Sequence, residues 1–130
     1  MIKKIAFLFA LVLLLIQCGF NNKDMQGLYV SQNNINLIDS LRLLPDGKYV
    51  KTIYRKSDKG FIYKNPGSWQ VKDGSLFLED FLVDNDRAFS ETHNFQDILI
   101  SCVYSIEKKS GKVVIYHNQS TESIYYEKIN

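Results

Sequence analysis

The chain has 130 residues, 45% of them hydrophobic, with two cysteines and 16 Lys and Arg against 14 Asp and Glu. Lys3 and Lys4 sit in an N-terminal leader, so the remainder carries 14 cations against 14 carboxylates. That balance speaks against nucleic acid, which requires a concentrated positive surface to displace counterions, and against a polybasic membrane patch.

The leader comes first in the chain. Met1, Lys3 and Lys4 form a short positive end, Ile5 to Ile16 are uninterrupted apolar residues, and Leu15-Ile16-Gln17-Cys18 closes the run. As a helix, about a dozen residues rise only about 18 Å, short of the roughly 30 Å hydrocarbon core, so the segment reads as a secretory signal peptide over 1–17 and not as a membrane span. The closing tetrapeptide resembles the lipobox at which bacteria cleave before a cysteine and acylate it, with Gln17 at the position usually held by a small residue. The resemblance implies a lipoprotein acylated at Cys18, with a palmitate-type lipid anchor in the membrane of a bacterial cell envelope, the outer membrane being the expected one.

Residues 18–26 are mostly polar and lack periodicity, and read as a tether. From Gly27 to Asn130 the pattern is that of one β-domain. Runs rich in Val, Ile, Tyr, Phe and Leu alternate with Pro45-Asp46-Gly47, Ser57-Asp58-Lys59-Gly60, Asn65-Pro66-Gly67, Lys72-Asp73-Gly74 and Lys109-Ser110-Gly111. Each of these clusters offers the fixed φ of proline or the positive φ that a tight hairpin turn demands. They divide the domain into nine predicted strands: 28–30, 41–44, 48–56, 61–63, 68–71, 76–81, 98–107, 113–117 and 123–128. Residues 84–94 form the one long connection, and no sustained helical stripe follows the leader.

Three stretches carry a further resemblance: Gly27-Leu28-Tyr29, then Asp39-Ser40-Leu41-Arg42-Leu43-Leu44-Pro45-Asp46-Gly47-Lys48-Tyr49, then Gly67-Ser68-Trp69-Gln70-Val71-Lys72-Asp73-Gly74-Ser75-Leu76-Phe77-Leu78. An opening Gly-x-aromatic, a strand-Asp-Gly-strand hairpin and a Gly-x-Trp strand before a second Asp-Gly turn resemble the small lipocalin-like lipoproteins of Bacteroidota. The resemblance implies an all-β fold, an antiparallel meander forming a small lipocalin-like barrel or half-barrel. A closed barrel also removes the exposed strand edges such a meander would otherwise leave.

The candidate chemistry is sparse. Trp69, Tyr49 and Tyr104 are the residues placed to line a ligand cavity or to fill a core, and for Trp69 the expectation is a core plug whose indole N–H finds one acceptor. Trp69, Val71, Leu76, Leu78, Ile98, Ile100, Cys102 and Tyr104 share alternating apolar faces and are expected to be buried. With Cys18 acylated, Cys102 has no disulfide partner and reads as a small hydrophobe. Asp39 interrupts the alternating face of Ile35, Leu37, Leu41 and Leu43, and is assigned to a loop preceding a strand that starts at Ser40. Asp84, Asn85, Asp86 and Glu91 lack the glycine and glutamate of a calcium loop. His93 and His117 have neither a ligand set at zinc spacing nor a nucleophile elbow. No catalytic residues, metal or cofactor are assigned. The function expected is a lipid-anchored, non-enzymatic interaction module with an unknown protein partner; the alternative is a lipocalin-like carrier of a small apolar ligand.

Overall fold

The positive-φ residues locate the hairpins. The computed structural model describes residues 19–82, 99–116 and 125–129. Asp73 and Gly74, and again Ser110 and Gly111, take φ between 52° and 80°, which closes two-residue turns, while Gly47 at φ 76° closes the turn after Pro45 and Asp46. These conformations twist in the sense of the flanking strands, so each turn sends the chain back beside itself.

A four-residue helix, α1 (Asn22–Met25), precedes eight strands: β1 (Gly27–Gln32), β2 (Leu37–Leu43), β3 (Lys48–Arg55), β4 (Phe61–Lys72), β5 (Ser75–Leu82), β6 (Leu99–Lys109), β7 (Lys112–Tyr116) and β8 (Tyr125–Lys128). Every strand pairs antiparallel with its sequence neighbour, and β8 returns to β1 with Tyr29 opposite Lys128 and Gln32 opposite Tyr125, closing the barrel. The fold is therefore the closed form of the expected meander, and not a half-barrel.

Two strands expected to be separate are one. Phe61–Tyr63 and Ser68–Val71 fuse into the twelve-residue β4, which runs straight through Asn65-Pro66-Gly67. Gly67 lies opposite Tyr49, and a Cβ there would fall 2.2 Å from the Tyr49 ring, so the glycine serves close approach and not a turn. The β4–β5 ladder ends at Ser68 opposite Glu79, so Pro66 has only β3 laddered beside it, the edge-like situation in which a strand tolerates proline.

The segment read as a tether also differs. Asn21 and Asp24 form a reciprocal capping box that starts α1. The helix then docks: Met25 is fully buried, its carbonyl accepts from Tyr29 Oη at 2.7 Å, and Asn22 Oδ1 accepts from the Val71 amide at 2.9 Å. Residues 19–26 thus plug one end of the barrel.

Among the described residues the interior holds two apolar clusters. The larger one lies at the plugged end and includes Met25, Tyr29, Leu43, Tyr49, Trp69 and Leu76; the smaller one, at the far end, consists of Leu37, Ile53, Tyr63 and Leu82 with Ile62 and Leu99 against them. Of the expected core residues, Trp69, Leu76, Leu78 and Tyr104 are buried, whereas Val71 and Cys102 are half-buried against the larger cluster. Ile100 is 48% exposed. The β5–β6 register shifts between Leu78 and Phe81, where Asp80 takes φ 56°, and beyond that bulge Leu99 joins the smaller cluster in place of Ile100. Ile98 lies outside the described residues.

Candidate functional site

A strand alternates its side chains between faces, so each inward position of a small barrel must be filled or satisfied. Along β2 the inward residues are Leu37, Asp39, Leu41 and Leu43; along β3 they are Tyr49, Lys51 and Ile53. Asp39 thus stands between a residue of the smaller cluster and one of the larger, and so does Lys51. Both side chains are 1% exposed. The placement of Asp39 corrects its assignment to a loop: β2 begins at Leu37, and the carboxylate is in mid-strand inside the barrel.

Three strands meet at this layer. Lys51 Nζ donates to Asp39 Oδ2 at 2.8 Å and to Tyr126 Oη at 2.6 Å, and Tyr126 Oη donates to the same Oδ2 at 2.7 Å. The ammonium also sits 4.4 Å from the centroid of the Phe81 ring, a cation–π contact in a dry setting. One acceptor is left over, since Asp39 Oδ1 is buried with no hydrogen-bond partner among the described residues. An unpaired lysine or aspartate at this depth would cost several kcal/mol, so each charge is tenable because of the other.

Aromatic side chains surround the layer. Phe81 meets Tyr49 and Tyr104 edge-to-face at 5.9 and 5.5 Å between centroids. Burial pushes the phenols of Tyr29, Tyr49 and Tyr104 far above their ordinary range, and that of Tyr63 up to about 12. Burial likewise raises the Cys102 thiol, against a partial opposing pull from the Tyr104 hydroxyl and the Lys51 ammonium. A raised pKa keeps the thiol protonated and weakly nucleophilic.

The three residues singled out as ligand-lining or core are all core. Trp69 is buried with Nε1 donating to the Leu44 carbonyl at 3.0 Å, Tyr49 Oη donates to the Glu79 carbonyl at 2.8 Å, and Tyr104 packs on Phe81. Tyr49 and Tyr104 border the charged layer through Phe81, whereas Trp69 stays with the larger cluster. Of the charged layer, Asp39 alone is singled out from the sequence, as a break in an alternating pattern. Lys51 makes the same break between Tyr49 and Ile53, and the two breaks flank one hairpin. Tyr126 gave no such signal.

Cys18, Asp84, Asn85, Asp86, Glu91, His93 and His117 lie outside the described residues. Among the described residues no three His, Cys, Asp or Glu side chains converge as a metal site. A groove of about 240 Å³ opens on the outer side of β4 and β5, lined by Ser68, Trp69, Gln70, Phe77 and Glu79. Family models, curated proteins and solved structures were compared with the chain, and none matches it.

Proposed function

We propose that the protein is a lipid-anchored, non-enzymatic interaction module of a bacterial cell envelope, in which the barrel is a solid support and the outer surface binds. The observation that carries this reading is the occupancy of the inward positions. Tyr29, Tyr49, Lys51, Phe81, Leu41, Leu78 and Ile115 are all essentially inaccessible, and the ion pair buried among the described residues is held by the protein's own groups. Pockets for small apolar ligands are instead concave spaces of about 300 Å³ or more. The anchor rests on the leader and the lipobox-like Leu15 to Cys18.

Two measurements on the full chain test it. Palmitate labelling is expected in the parent and absent in Cys18→Ser, and a fluorescent fatty acid is expected to show no saturable uptake. A parent that never takes up label contradicts the anchor. Stoichiometric fatty-acid binding contradicts the solid interior and favours the carrier.

A further inference from the structure

The chain's overall neutrality conceals a segregation of charge. Residues 37–72, which form β2, β3 and β4 and their connections, carry seven cations besides the buried Lys51, against the two carboxylates Asp46 and Asp58 besides the buried Asp39. The pairing register shows how they are laid out. Outward rows across β2, β3 and β4 read Ile38, Tyr54, Phe61; then Ser40, Thr52, Lys64; then Arg42, Val50, Pro66; with Lys48 beside Ser68 below. No carboxylate occurs in these rows. The exposed or half-exposed carboxylates of the strands, Glu79, Asp80, Glu107 and Glu127, stand on β5, β6 and β8, with Glu79 opposite Ser68 at the border of the wall. The neutral net charge of the chain therefore does not describe the charge of this wall.

The apolar content of the wall is concentrated at the end away from α1. Tyr54 and Phe61 form an edge-to-face pair 5.9 Å apart, with Phe61 61% exposed. The β1–β2 loop is tied to this hairpin through the Lys56 amide, which donates to the Asn36 carbonyl at 2.9 Å, and it presents Ile35 at 83% exposure. Lys56 and Lys59 flank these groups. Asp58, the one carboxylate here, is engaged by Arg55 at 2.9 Å and by the Gly60 amide.

We infer that the β2–β4 wall docks on an anionic lipid surface. Cations spaced along a wall attract phosphate headgroups at close to one Debye length or less, and exposed aromatic and aliphatic tips between lysines suit the headgroup–acyl boundary. The exposed Phe61 and Ile35 are what favour a bilayer over a nucleic-acid backbone, whose phosphates offer apolar groups nothing. This inference names a partner surface for the outward-binding module, and it holds with or without acylation at Cys18.

The test measures how the full chain distributes between two mixed vesicle populations, one containing phosphatidylglycerol and one of phosphatidylcholine alone. The N-terminal segment is common to all variants and cancels in the comparison. The parent is expected to favour the anionic vesicles, and Arg42→Ser/Lys48→Ser/Lys64→Ser is expected to lower that preference roughly a hundredfold, from three cations near the surface. Lys108→Ser/Lys109→Ser/Lys112→Ser, with the same change in net charge on β6 and β7, should lower it far less. Phe61→Ser should weaken binding to the anionic vesicles at any salt, whereas raised salt should erase only the charge-dependent part. Equal loss in the two triple variants, or no preference in the parent, overturns the inference. An unlabelled Cys18 in the palmitate experiment leaves this result standing, so the two readings fail separately.

Discussion

The two ends of the barrel interior are built differently. Among the described residues, Met25, Tyr29, Trp69 and their neighbours form a broad apolar cluster sealed by α1 at the plugged end, four buried residues form the cluster at the far end, and the layer between the two holds the buried charged side chains Asp39 and Lys51. Hydrophobic burial scales with area, so the plugged end supplies most of the stabilisation, and the far end is the part expected to open at least cost. The charged layer adds little net stability beyond what an apolar layer would give; it joins side chains of β2, β3 and β8. Tyr126 comes from the short closing strand β8, and its bond to Asp39 Oδ2 ties that strand to β2 across the barrel.

The largest expected effect is at the plugged end. Trp69→Ala should cost about 3–5 kcal/mol in urea unfolding, whereas Leu37→Ala in the smaller cluster should cost about 2 kcal/mol. Equal losses would break the comparison. A near-native Trp69→Ala domain that gains fatty-acid uptake would point to interior space that the tryptophan merely lines.

A smaller effect appears at high pH. Burial raises the phenols of Tyr29, Tyr49, Tyr63 and Tyr104 above the ordinary pKa of about 10, so the folded state holds their protons more tightly than the unfolded chain does. The stability this provides is complete below about pH 10 and is lost as pH rises through the folded values. Tyr63 of the smaller cluster, at about 12, should ionise before Tyr29, Tyr49 and Tyr104. Absorbance at the tyrosinate band, followed with circular dichroism, would show one late phenol titrating ahead of unfolding, and Tyr63→Phe should remove it.

Much of the fold was legible because its signals are local. Asp73-Gly74 and Ser110-Gly111 specify positive-φ turns whatever surrounds them, and the alternation around them marks the strands. The fused β4 was not legible, because Asn65-Pro66-Gly67 has the composition of a turn and only the Tyr49 ring on the neighbouring strand explains the glycine. The plug was hidden for a similar reason: a polar nonapeptide with one methionine looks like a tether until Met25 finds the barrel end. Ile100 failed because a bulge on β5 changes which residues of β6 meet the core. The charged layer was half legible. Asp39 and Lys51 both break an inward apolar pattern, but an isolated buried charge is so costly that the loop assignment prevails until a partner is seen, and Tyr126 lies 87 residues away from Asp39.

The central claim is that Asp39 and Lys51 are buried in a filled interior and are tolerable only together, and a double-mutant cycle tests it most directly. Lys51→Met should destabilise the chain by about 3–5 kcal/mol by leaving the carboxylate unpaired, and Asp39→Leu by a similar amount. The double variant Asp39→Leu/Lys51→Met should recover most of that loss, with a coupling energy of at least about 2 kcal/mol from urea unfolding. Losses that simply add, or single variants as stable as the parent, would mean that water reaches both groups and that the barrel interior is not the dry, filled one described.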